Sequence, residues 1–207
     1  MAERRLTFRR LSGLDRSGPP PPETLAGQPL RPWTIPNAIG FFRLALIPVF
    51  LIASYSAHHG QSALGAVTFA VVAWGDYADG IAARVTRQYS RLGALLDPVI
   101  DRLLIIAGMV VCWSYSLLPR WAIAVLLGRE IFMLFAGRAA VRRGVEVSIN
   151  WPGRLSVWPT MSAVFFALVD LLRAAEVLLY VGLALTMMAT AMYVDSARRQ
   201  LAAKTSS

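Results

Sequence analysis

Asp76 and Asp79 stand three residues apart, and Asp97 and Asp101 four apart, inside stretches otherwise apolar enough to be buried helices. At 3.6 residues per turn, each spacing puts a pair of carboxylates on one face of its helix. Carboxylates are rare in hydrocarbon and there usually face a polar cavity, pair with cations or bind metal. Four acids facing one another with no cation would repel and take up protons. Hard divalent cations such as Mg²⁺ or Mn²⁺ prefer oxygen ligands and relieve that repulsion, so metal binding is the economical expectation. No His or Cys lies in this segment, which argues against a zinc site built on nitrogen and sulfur, and His58 and His59 fall in another loop.

Between the acid pairs lie Gly80, Ala83, Arg84, Ser90 and Gly93. Gly80 and Gly93 remove side chains where a phosphate or nucleotide could approach a helix. Each glycine alone is also explained by helix packing, since small residues are common at membrane helix contacts. Arg84 either pairs with an aspartate or presents its planar fork to a phosphate. Beside a prospective two-metal site a fixed cation is well placed to hold a pyrophosphate, and Ser90 can add a hydrogen bond.

The elements that must carry these groups are membrane helices. The chain has 207 residues, is 56% hydrophobic and 16% charged, and has a mean hydropathy of +0.52, too apolar for an ordinary soluble globule. Spanning a bilayer takes about 20 mostly apolar residues. Six such runs stand out: Ile39 to Tyr55, Leu64 to Ala83, Leu92 to Tyr115, Trp121 to Val141, Leu155 to Leu172 and Ala175 to Tyr193. The expected fold is all-α, a polytopic membrane protein with a bundle of six transmembrane helices. The expected organisation is a basic, Pro-rich, disordered tail over 1–33, one membrane domain over 34–197 and a second tail over 198–207.

Thr34 offers a capping hydroxyl for the first helix, and Pro36 suits a first helical turn. That first run is a poor match to a cleavable signal and is expected to be retained. Cys112 is alone and inside the third run, which suits a buried apolar role. Trp113, Tyr115 and Trp121 near one boundary, and Trp33, Trp151 and Trp158 near the other, suit interfacial belts.

The net charge of +9 comes almost entirely from arginine. With six spans, both tails share a face with Arg84, Arg87, Arg91, Arg142, Arg143 and Arg154, while the opposite loops hold Arg120 and Arg173. Basic loops mark the cytoplasmic side, so the expected location is the cell membrane, with both termini and the acid pairs on the cytoplasmic side. A basic rim also attracts anionic membrane lipids. With no soluble basic domain, nucleic acid is not an expected partner.

The pattern Asp76-x-x-Asp79-Gly80-x-x-Ala83-Arg84, eight residues, then Gly93-x-x-x-Asp97-x-x-x-Asp101 resembles the signature of the CDP-alcohol phosphatidyltransferase family without a departure. Ile35-Pro36-Asn37 with Arg43 is similar to that family's first helix. The resemblance implies an enzyme in which an alcohol hydroxyl attacks the β-phosphorus of CDP-diacylglycerol, forming a phosphodiester and releasing CMP. It implies two Mg²⁺ or Mn²⁺ ions, with Asp76, Asp79 and Asp97 as principal ligands and Asp101 as ligand and general base. It further implies that Gly80, Arg84 and Ser90, with Pro36 and Asn37, hold the CDP moiety. A homodimer is common among the proteins it resembles.

Leu95 to Arg102 and the later Gly128-Arg129-Glu130 resemble the phosphatidylglycerophosphate synthase and cardiolipin synthase branch more than the inositol-phosphate branch. Members of that branch often carry Lys where Arg102 stands, and a Gly-Lys pair where Gly153-Arg154 stands. An anionic acceptor would need cations, for which Arg102, Arg129, Arg138 and Arg154 are candidates, together with Arg142 and Arg143. Glycerol 3-phosphate is the preferred acceptor, and phosphatidylglycerol, as used in cardiolipin synthesis, is the alternative. A cation transporter would explain the acids alone, but not the glycines and Arg84 beside them, nor the clustering of the acids at one membrane face.

Overall fold

The computed structural model describes residues 22–25, 27–142 and 151–205. Among them, a 3₁₀ turn at Pro22–Thr24 precedes six α-helices: α1 (Ile35–Tyr55), α2 (Ala63–Thr86), α3 (Arg91–Ser114), α4 (Arg120–Arg142), α5 (Trp151–Leu168) and α6 (Leu172–Thr205). Each of the six apolar runs lies mainly on one of these helices, with Tyr115 and residues 169–171 outside them, and the described residues hold no strand. The tail over 1–21 and the basic stretch over 143–150 lie outside the described residues. Helix α6 continues through 198–205, where a separate tail was expected.

The first helix begins where its capping chemistry directs. Thr34 Oγ1 accepts the Asn37 backbone N–H at 3.3 Å, the bond an N-cap makes to the third helical residue. Helix α2 outlasts its apolar run by a turn and ends at Thr86, so Arg84 is helical and the connection to α3 narrows to Arg87–Ser90. Arg87 turns the chain there with φ of 55°.

The chain divides into two compact units, with the boundary inside α3. The first (residues 1–54 and 64–107) contains α1, most of α2 and α3. On α1 the buried residues are Asn37, Gly40, Arg43, Ile47, Phe50 and Ser54, a three-and-four spacing that draws one stripe down the helix. Phe50 meets Phe69 of α2 with ring centroids 5.4 Å apart, and Val72, Ile100 and Leu104 complete this core.

The second unit (residues 55–63 and 108–207) contains the end of α3 and α4 to α6. Its main contact is α5 against α6. On α6 the buried positions Ala175, Leu179, Gly182, Thr186, Ala189 and Tyr193 recur every three or four residues, and small residues there let helices approach closely. At Gly182 a Cβ would lie 2.4 Å from Thr160 Oγ1 of α5. Cys112 is fully buried in this unit, as expected.

Two helical segments, Ile35–Tyr55 and Leu172–Gln200, are long and apolar enough to cross a membrane by themselves. At about 1.5 Å per residue, 21 residues of α1 cover roughly 30 Å, the hydrocarbon thickness of a bilayer. Large apolar side chains also point outward along the helices, among them Phe42, Ile52, Val67 and Trp74. That much exposed apolar surface is a liability in water and no liability in lipid.

Candidate active site

Asp76 and Asp79 lie in the last three turns of α2, and Asp97 and Asp101 in the first three turns of α3. The carboxylates of Asp76, Asp79 and Asp101 converge on one side chain that the acid pattern did not single out, Arg43 of α1. Its Nη1 donates to Asp79 Oδ2 at 2.7 Å and its Nη2 to Asp101 Oδ1 at 2.8 Å. Asp76 Oδ1 lies 3.6 Å from Nη1, and Asp97 is a charge neighbour of all four groups. The Nε donates to the Val72 carbonyl at 2.9 Å, so the fork is held at three points.

Arg43 reaches this position because α2 leaves room for it. A Cβ at Gly75 would stand 2.7 Å from Arg43 Cδ and 2.8 Å from its Cγ. Val72, Gly75, Asp76 and Asp79 fall at helical spacing on one face of α2, and that face receives the arginine. A signal for Arg43 existed in the sequence, because it is the only charge within the apolar run Ile39 to Tyr55. An intramembrane cation requires a partner.

Burial grades the acids. The side chain of Asp79 is 5% exposed, that of Asp101 32% and that of Asp76 47%. Asp79 therefore anchors the cluster while Asp76 and Asp101 form its open edge. Among the described residues no three acids are grouped so as to hold a metal ion between them, and the guanidinium stands where Asp76, Asp79 and Asp101 converge. The donor chemistry nevertheless fits hard cations. Four carboxylates against one guanidinium leave three formal negative charges, and all the oxygens are of the type Mg²⁺ and Mn²⁺ prefer.

Gly80 and Arg84 come together next to the acids. The Arg84 guanidinium lies over Gly80, its Nη2 3.3 Å from where a Cβ would stand. Its Nε is buried and makes no hydrogen bond among the described residues. An arginine held this way with an unspent donor is suited to an anion, and among the described residues it does not form the ion pair with an aspartate that was the alternative.

Asn37 and Ser90 are hydrogen-bonded to each other and to the backbone around them. Asn37 Nδ2 donates to the carbonyls of Arg31 at 2.9 Å and Pro32 at 3.1 Å. Its Oδ1 accepts from Ser90 Oγ at 2.8 Å. Ser90 Oγ in turn accepts the Gly93 N–H at 3.0 Å, capping α3. With the Ile35 N–H on Gln88 Oε1 at 2.9 Å and the Leu92 N–H on the Leu30 carbonyl at 3.3 Å, this network ties the starts of α1 and α3 to the α2–α3 turn. Pro36 lies in the first turn of α1 and is half-buried.

The four candidate acceptor cations fall on α3, α4 and α5. Arg102, on α3, is exposed in the first unit. In the second unit, Arg129 Nε donates to Thr190 Oγ1 of α6 at 3.0 Å and its Nη1 pairs with Glu130. Arg138 is exposed on α4. The side chain of Arg154 lies outside the described residues, as do Arg142 and Arg143.

Comparison of the sequence with known proteins gives the family. The sequence profile of the CDP-alcohol phosphatidyltransferase family matches residues 33–188. A Pectobacterium atrosepticum protein named CDP-diacylglycerol--glycerol-3-phosphate 3-phosphatidyltransferase is 31% identical over 179 residues, covering 82% of this chain and 97% of its own. A Bacillus subtilis protein of the same name is 28% identical over 144 residues, 64% of this chain and 75% of that one. A Mycobacterium tuberculosis protein provisionally named cardiolipin synthase is 40% identical over 100 residues, 48% of this chain and 47% of that one. The match spans the acid pairs, the glycines and Arg84 alike, and the chain belongs to the CDP-alcohol phosphatidyltransferase family as an enzyme of phospholipid biosynthesis.

Proposed function

We propose that this enzyme crosses the cell membrane six times, with both termini and the acid cluster on the cytoplasmic side, and makes phosphatidylglycerophosphate from CDP-diacylglycerol and glycerol 3-phosphate. The observation that carries the reading is the convergence of Asp76, Asp79 and Asp101 beside an Arg84 with an unspent donor. The acceptor follows the names of relatives that align over most of the chain. The shorter mycobacterial match favours phosphatidylglycerol as the second choice. Orientation follows the arginines in and beside the α2–α3 turn, Arg84, Arg87 and Arg91.

Asp76, Asp79, Asp97 and Asp101 would hold two divalent cations. When bound, such ions neutralise pyrophosphate charge and polarise the reacting phosphoryl group. Arg84 binds the pyrophosphate of the CDP lipid, and Gly80 leaves that approach open. Asn37 and Ser90, with Pro36 at the start of α1, keep the mouth of the site in shape, and the acyl chains remain among apolar helix faces. Asp101 accepts the proton of the acceptor hydroxyl as its oxygen bonds the phosphorus that carries diacylglycerol. The bond from that phosphorus to the CMP oxygen breaks, and CMP leaves with the electron pair.

The test incubates purified protein with CDP-diacylglycerol and Mn²⁺ or Mg²⁺. Glycerol 3-phosphate, phosphatidylglycerol and inositol phosphate are offered separately, and the lipid is identified by mass. Phosphatidylglycerophosphate with stoichiometric CMP is expected. Cardiolipin from phosphatidylglycerol alone would select the second acceptor, and cation flux with no CMP would select a transporter.

A further inference from the structure

Arg43 has no role in the transfer step proposed above, yet its side chain is 1% exposed and meets three of the four acids. The way it meets them is specific. From Asp79 it takes only Oδ2 and from Asp101 only Oδ1, so it holds each carboxylate by a single oxygen, and the Gly80 backbone N–H also reaches the Asp79 carboxylate. The Val72 carbonyl on Nε stops the fork from turning, and the side-chain-free surface of Gly75 sets its depth. One planar group on α1 thus fixes a carboxylate on α2 relative to a carboxylate on α3. A lysine in its place would keep the charge but has no fixed fork with which to hold both.

We propose that Arg43 is the positioning residue of the divalent-ion site. It holds one oxygen each of Asp79 and Asp101 so that their other oxygens face the ions, and it offsets part of the acid repulsion when no ion is present. Partners that orient metal ligands from behind typically contribute 10–100-fold in affinity. This inference rests on the reading of the four acids as metal ligands.

The experiment measures Mn²⁺ binding to full-length protein in detergent by electron paramagnetic resonance, with no substrate present. The variants are Arg43→Lys, which keeps charge without the fork, and Gly75→Ala, which keeps the arginine but crowds its stem. Each variant is scored only when it elutes and gives circular dichroism like the wild type. Both are expected to bind Mn²⁺ about 10–100-fold more weakly. A folded variant that binds within twofold of the wild type would overturn the role of Arg43 and leave the metal site standing. A wild type that binds no Mn²⁺ would overturn the metal site and this inference with it. A structure of the Mn²⁺-loaded wild type needs no variant. It is expected to retain the Arg43 contacts to Asp79 and Asp101, and loss of both refutes the proposal.

Discussion

A Cβ at Gly93 would stand 2.8 Å from Asn37 Oδ1 and 3.2 Å from Ser90 Oγ. The amide cannot retreat, because its nitrogen is held by two backbone carbonyls and its oxygen by Ser90. The motif glycine before Asp97 is thus required by close approach of two helix starts. Gly93→Ala should destabilise the protein by about 1–3 kcal/mol, although alanine is the better helix former by about 1 kcal/mol. A lowered melting temperature in detergent is the expected result, and an unchanged one would remove the Asn37–Ser90–Gly93 network from the account.

Gly80 differs from Gly93 in what it faces. Its nearest neighbour is the free end of Arg84, at 3.3 Å, and a flexible end can move. Gly80→Ala should therefore melt no lower than the wild type while shifting the guanidinium. The KM for CDP-diacylglycerol should rise about tenfold, the loss of one hydrogen bond to a charged group. The KM for the acceptor should stay within twofold. Equal rises in both would disconnect Arg84 from the nucleotide.

Asp97→Asn should reduce CMP formation at least about a hundredfold without unfolding the protein. Chelation of the wild type should do the same and be reversed by Mn²⁺. Ion binding should also stabilise the wild type, by about 2.7 kcal/mol at a hundred times the Kd, and Asp97→Asn far less. A melting temperature that rises equally in both would place the ion elsewhere.

Arg102 and Arg129 are both candidates for the acceptor, and each has its own local surroundings. Arg129→Ala breaks a tie from α4 to Thr190 of α6 and should cost about 1.5–3 kcal/mol of stability. Arg102 is exposed, so Arg102→Ala should change stability by less than about 0.5 kcal/mol and raise only the KM for glycerol 3-phosphate. Thermal melts and acceptor titrations on the two variants check both statements.

The helices, the Thr34 cap and the family were legible in the sequence, because hydropathy, capping and the Asp-Gly-Arg spacing are properties of neighbouring residues. So was the pairing of acids on a helix face, since three- and four-residue spacings translate directly into geometry. What the acids face was not legible. Arg43 meets Asp79 across 36 residues and Asp101 across 58, and no local pattern says which faces of three helices will meet. The same limit applied to Asn37 and Ser90, whose hydrogen bonds join segments 53 residues apart. Sequence determined that this chain carries four acids, two glycines and an arginine in the order its chemistry requires. Tertiary structure decided that a guanidinium from α1 would lie among the acids. Buried charges must be matched by whichever partner the packing of helices brings within reach, and that choice is made only when the chain folds.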